Sequence, residues 1–134
     1  MAVEWNGDKL QQDIRQAAMI GVVKSTEAVR ELAIRKIQEP PKTGRVYRHR
    51  GVDHQASAPG EAPASDTGTL VQRTTTEYDQ EQLQGTVWFR TAYAAALEFG
   101  TQKIEPRPYA RVSLQEKSKE IQQNIADEIA KVTK

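Results

Sequence analysis

Residues 8–38, DKLQQDIRQAAMIGVVKSTEAVRELAIRKIQ, place Leu10, Ile14, Ala17, Gly21, Ser25, Ala28 and Leu32 at steps of three and four. That spacing is one face of an α-helix, so the reading predicts a long first helix. Asn6 or Asp8 is positioned to cap its start. Pro40-Pro41 forbids continuation, because a proline drives the residue before it out of the helical region. A second, broken stripe through Ile20, Val23, Ile34 and Ile37 widens the apolar face beyond what one small sheet needs. The helix therefore either packs on two sides or turns part of itself toward another subunit. Gly21 in mid-helix costs about 1 kcal/mol relative to Ala and permits close packing there.

Farther along the chain, Thr69–Thr76 (TLVQRTTT) and Leu83–Phe89 (LQGTVWF) are rich in Thr, Val and aromatic residues, with polar Glu77–Gln82 between them. This predicts an antiparallel hairpin. In its second strand Leu83, Gly85, Val87 and Phe89 share the face expected to meet the first helix, and Trp88 lies on the other. Val46–Val52 is a candidate further strand of the same sheet. Next, Tyr93–Thr101 (YAAALEFGT) reads as a short helical turn ended by Gly100, which suits a left-handed position after a helix. Ile104–Tyr109 (IEPRPY) is an extended connector, and Pro108 can open a final helix. Leu114, Ser118, Ile121, Ile125, Glu128 or Ile129, and Val132 give that helix its stripe. The expected architecture is α+β: a long N-terminal helix and a C-terminal helix packed on a small antiparallel sheet, in one domain spanning 1–134.

Residues 40–68 break the pattern, holding four of the six prolines and four of the eight glycines. A connection of that length is normally functional or disordered. The expectation is a long loop or extended arm. Its first part, Lys42–Arg50, carries Lys42, Arg45, Arg48 and Arg50 with Tyr47 among them and no acid, so it could neutralise phosphates or pair with acids on a neighbouring subunit. Its second part, Ala56–Ala64, lacks the bulk to bury itself and has too much proline for a sheet.

Composition sets further bounds. Among the 134 residues, Leu, Ile, Val and Phe number only 26, eked out by 16 Ala, while 19 basic and 18 acidic side chains nearly cancel. Low hydrophobicity without high net charge predicts a folded chain with a thin core, the kind often completed by neighbours. With no cysteine there is no disulfide framework, thiolate metal site or cysteine nucleophile. Glu4 and Asp8 precede any apolar run and no stretch is long enough to span a bilayer, which predicts a soluble cytoplasmic protein without membrane contact. His49 and His54 lack the spacing and Glu partner of a zinc helix, and Asp53, Glu61 and Asp66 are loop carboxylates suited to turns. Phosphate cradles and nucleophile elbows are missing from the sequence, so no catalytic, cofactor or metal residues are expected.

Three segments together carry a resemblance: PPKTGRVYRHR (40–50), HQASAPGEAPASDTGTLVQ (54–72) and YAAALEFGTQKIEPRPYARVSL (93–114). They resemble the small neck or tail-completion proteins, the tail components, of lambda-like long-tailed phages and prophages. The sharpest part is Glu98-Phe99-Gly100-Thr101 followed by Arg107-Pro108-Tyr109, where that family has an E-[FY]-G-T segment and then a small-R-P-[FY] segment. Pro106 stands at the usually small position and Tyr109 replaces the commoner Phe. The resemblance implies helices on an antiparallel sheet, no catalysis, and a homo-oligomeric ring, six-fold, in the virion at the head–tail junction after assembly in the host cytoplasm. Its partners would be the head connector and the tail-tube or tail-terminator proteins, around a channel for DNA. It also implies that Glu98, Phe99, Gly100 and Thr101 form a structural turn, with Arg107 an ion-pair partner of Glu98. Lys42, Arg45, Tyr47, Arg48 and Arg50 would then make subunit or DNA-channel contacts. The alternative from the residues alone is a small nucleic-acid-binding accessory protein using the basic loop 42–50.

Overall fold

A computed structural model describes residues 2–5, 7–39, 42–59, 61, 63 and 68–133, with His49 as backbone only. The fold is α+β: a long N-terminal helix, C-terminal helices and two small antiparallel hairpins. Helix α1 (Gly7–Gln38) carries Asp8 in its first turn and Arg35 and Lys36 in its last, charges that complement the helix dipole. The expected Asn6 cap and Pro40-Pro41 stop lie outside the described residues. Of the predicted stripe, Ala17, Gly21 and Ser25 are buried, Ala28 and Leu32 half-buried, and Leu10 exposed. The most buried line then shifts round the helix to Thr26, Val29, Ala33 and Ile37. The shift follows a change of neighbour, from a helix on one side to the sheet and core on the other.

That neighbouring helix is α5 (Ser118–Val132), which runs antiparallel to α1. Lys36 meets Glu116 at 2.8 Å near one end, and Asn124 Nδ2 donates to Ser25 Oγ at 3.3 Å farther along. Between these elements the axes approach so closely that a Cβ built on Gly21 would lie 2.7 Å from Ile125 Cα. Glycine is therefore required for contact, and this outweighs its helical cost. Buried Glu128 closes the crossing by accepting from both Lys24 and Lys131, which hold its carboxyl below the usual range.

The predicted hairpin exists, with its first strand displaced. Gly68, in the left-handed region, opens a single helical turn, α2 (Thr69–Gln72), and strand β3 begins only at Thr74 and runs to Asp79. Leu70 is buried from that turn, and Thr74 Oγ1 donates to its carbonyl, so core packing overrides the strand preference of Thr and Val. Glu77–Asp79, read as loop, are paired: β4 (Gln84–Phe89) aligns Thr74 with Phe89 and Asp79 with Gln84. The face assignment in β4 holds, with Gly85 against Val22 and Thr26 of α1 and Trp88 on the exposed side.

Helix α3 (Ala94–Phe99) and α4 (Ala110–Glu116) complete the body, and Lys117 breaks the expected final helix into α4 and α5. Buried Ile37, Leu70, Ala94 and Tyr109 form the core, with Phe89 and Leu97 packed on it. The Tyr109 ring meets Phe89 edge-on at 4.7 Å. None of the described helices is long and apolar enough to cross a membrane.

Candidate functional site: arm, carboxylate hub and apolar groove

The segment read as a long loop contains a second hairpin. Strands Val46–His49 (β1) and Val52–Gln55 (β2) pair with each other and do not join β3 and β4, which corrects the expectation of a further strand in one sheet. Arg50 and Gly51, at φ of 53° and 81°, make the two-residue turn that matches the natural twist of a hairpin. Cross-strand partners lock it locally, with Tyr47 against the His54 ring at 5.9 Å and Arg48 Nε on Asp53 Oδ1 at 3.2 Å.

The base of this arm is built from charge. Glu61 accepts from Thr43 N and Ala58 N, each at 2.9 Å, and from the Thr43 hydroxyl. The hydroxyl bond and then the two amides pull its carboxyl down to about 2. Lys42 folds back, and its ammonium donates to Lys36 O at 2.6 Å at the C-terminal end of α1. Partial burial lowers its pKa, more than nearby Glu61 raises it. Of the basic residues expected to make subunit or channel contacts, Lys42 thus holds the base and Arg48 binds Asp53. Arg45 and Arg50 stand exposed beside them.

A second constellation surrounds Glu98, which is buried at the end of α3. Its carboxylate accepts from the backbone N–H groups of Tyr109, Ala110 and Arg111 at 2.8, 3.0 and 2.9 Å, and from Arg111 Nε at 3.0 Å. Burial would raise the carboxyl, but these four donors outweigh it and hold it below the usual Glu range. No side chain at Tyr109 caps α4, so Glu98 supplies from a distance the acceptor that the helix start lacks.

The expected Glu98–Arg107 ion pair is therefore corrected. Arg111 is the partner, and Arg107 Nε instead reaches Ser57 O at 3.2 Å, tying the arm's base to the connector. The expected turn itself is present. Gly100 sits at φ 76° with Pro106 Cδ only 2.8 Å from where a Cβ would stand, and Thr101 Oγ1 accepts from the amides of Lys103 and Ile104. Pro108 leads into buried Tyr109, whose hydroxyl donates to Ala94 O at 3.0 Å. Burial, and then the Glu98 charge, raises the pKa of that phenol. Phe99 remains exposed under the Arg111 guanidinium, which lies 4.9 Å from the ring centre.

Sequence reasoning missed the third feature, an apolar groove of about 610 Å³ between α1, β4, α4 and α5. Val22 and Val29 form one wall, Leu83 and Val87 another, and Leu114, Ile121 and Ile125 a third, with Arg111 on its edge. Leu114 is 55% exposed at its lip. The available signal was the final helix's stripe, too long for the few apolar side chains that face it.

Neither a family model, a curated protein nor a solved structure matches the chain.

Proposed function

We propose that this chain is a non-enzymatic structural subunit of a long-tailed phage or prophage particle, forming a six-fold ring at the head–tail junction between head connector and tail tube. The observation that carries the reading is the groove, because a body of this size that leaves Leu114, Ile121 and Ile125 around open space is one whose apolar surface is completed by other chains. The Glu98–Thr101 and Arg107–Tyr109 segments supply the family resemblance, and the geometry gives both a packing role consistent with a scaffold. The hairpin arm projects exposed Val46, Tyr47 and Val52 beside Arg45 and Arg50, a mixed surface suited to a neighbouring protein.

The test is the mass of the purified protein by light scattering after gel filtration, alone and with the major tail-tube protein of the same phage. A ring-sized species in either condition is expected. A monomer at every concentration that ignores the tail-tube protein overturns the reading.

A second reading, nucleic-acid binding by the arm, rests on exposed Arg45 and Arg50 with Arg48 between them. Two phosphate contacts, from Arg45 and Arg50, would give a slope of about −2 in log affinity against log salt, and release of Arg48 from Asp53 would bring it to about −3. Absence of duplex binding at low salt ends that alternative.

A further inference from the structure

The amino-terminal segment presents the most exposed large apolar side chains of the described residues: Val3 is 93% and Trp5 87% accessible. A chain with so few large apolar residues gains nothing as a monomer by holding a tryptophan in water, since burial of an aromatic side chain is favourable. Glu4 stands between Val3 and Trp5 in the sequence, so an extended Ala2–Trp5 strand laid in a groove would put Val3 and Trp5 on one side and Glu4 on the other.

Along α1 the segment lies far from its own groove. On α1 the groove begins at Val22, fifteen helical residues from Gly7, or about 22 Å along the axis. Trp5 is two residues from Gly7, an extended reach of about 7 Å, and the length of its side chain does not close the difference. Self-occupation would require unwinding the first turns of α1.

We propose that the groove between α1, β4, α4 and α5 receives the Ala2–Trp5 segment of a second copy of this chain. Val3 and Trp5 lie on its apolar walls, and Glu4 faces the guanidinium of Arg111 at the rim. Arg111 is suited to that role. Its side chain is about half exposed, and Glu98 takes only its Nε and one Nη2 contact, leaving other donors of a five-donor group to an incoming carboxylate. The contact joins two different surfaces, tail to groove, so it closes by reciprocal exchange in a dimer, closes a larger ring, or propagates from copy to copy. It deepens the assembly reading above by naming the joint between subunits, and it rests on that reading only for ring closure.

The absence of cysteine makes a clean test. Val3→Cys and Leu114→Cys, both at exposed positions that the fold does not need, are prepared as separate full-length proteins, mixed and mildly oxidised. Mixing Val3→Cys with Lys119→Cys, and Val52→Cys with Leu114→Cys, provides comparisons. The expected result is a covalent heterodimer from the first pair well above both others, diminished when Trp5→Ala is added to the Val3→Cys chain. Loss of that buried aromatic should weaken association about thirtyfold or more.

Cross-linking no greater than with Lys119→Cys overturns the proposal, as does preferential capture by Val52→Cys, which would put the neighbour's arm in the groove. The doubly substituted Val3→Cys/Leu114→Cys chain separates this proposal from the ring reading. A ladder ending at a fixed size supports both, and covalent dimers alone support the tail contact while removing the ring. Ring-sized particles without tail-to-groove cross-links leave the ring and remove the contact.

Discussion

Gly21→Ala sets two opposed effects against each other at one atom. In an exposed helix the change would stabilise by about 1 kcal/mol, because alanine loses less backbone freedom on folding. Here the added Cβ would lie 2.7 Å from Ile125 Cα and 3.1 Å from Asn124 O. Both obstructing atoms are backbone, so no rotamer change relieves them, and α5 must move as a unit. Overpacking of this kind costs about 2–3 kcal/mol, leaving a net loss of about 1–2 kcal/mol. For a chain of this length that lowers Tm by about 3–8 °C. Gly21→Val, with a larger clash and a smaller gain in helix preference, should fall farther. Thermal unfolding followed by circular dichroism, with urea titration to check for an unchanged slope, reads the result. A rise in Tm for Gly21→Ala would refute the reasoning, since helix preference would then prevail and the crossing would not depend on contact at this residue.

Four more outcomes follow from the hub and the arm. Glu98→Gln replaces two acceptor oxygens with one and turns an amide N–H toward backbone donors, so stability should fall by about 2–3 kcal/mol in urea denaturation. Because the folded-state pKa of Glu98 is depressed, its contribution is fully present above about pH 4.3 and lost as pH falls through the lower folded value. The difference between wild type and Glu98→Gln in urea midpoint should therefore shrink on acidification. Replacing residues 46–55 by a short glycine turn, across the Ala56 N to Arg45 O hydrogen bond of 3.0 Å, should leave Tm nearly unchanged but impair particle completion in a complementation assay. Arg107→Ala should speed amide hydrogen exchange in the arm's base, where Ser57 loses its tie, without altering exchange in the α1–α5 crossing.

The long helix, the amphipathic C-terminal region and the facing of β4 were legible because each is a periodic pattern over many residues. The arm hairpin was not, because Arg50 supplies a left-handed residue where Asn or Asp would have signalled the turn, and proline-rich sequence on either side obscured it. Thr69–Gln72 read as strand from its side chains, while burial of Leu70 chose a helical turn. The hub was half legible. Glu98 and an arginine were both visible in the motif, but Pro106 and Pro108 keep Arg107 in an extended segment directed to Ser57, and helix α4 brings Arg111 to the carboxylate. A physical clue was present: PRPYA offers no capping side chain, so the amides beginning α4 had to find an acceptor elsewhere. The groove was the least legible feature, since an unfilled space belongs to no single segment.

Glu61 anchors the arm's base through the amides of Thr43 and Ala58. A carboxyl held down to about 2 keeps its charge, and its grip on Thr43 and Ala58, through every acidity a cell or its surroundings ordinarily present. That one anchor is thus insulated from ordinary changes of pH. A partner that competes for those two amides, or pulls on the hairpin itself, would loosen this anchor where ordinary acidity would not.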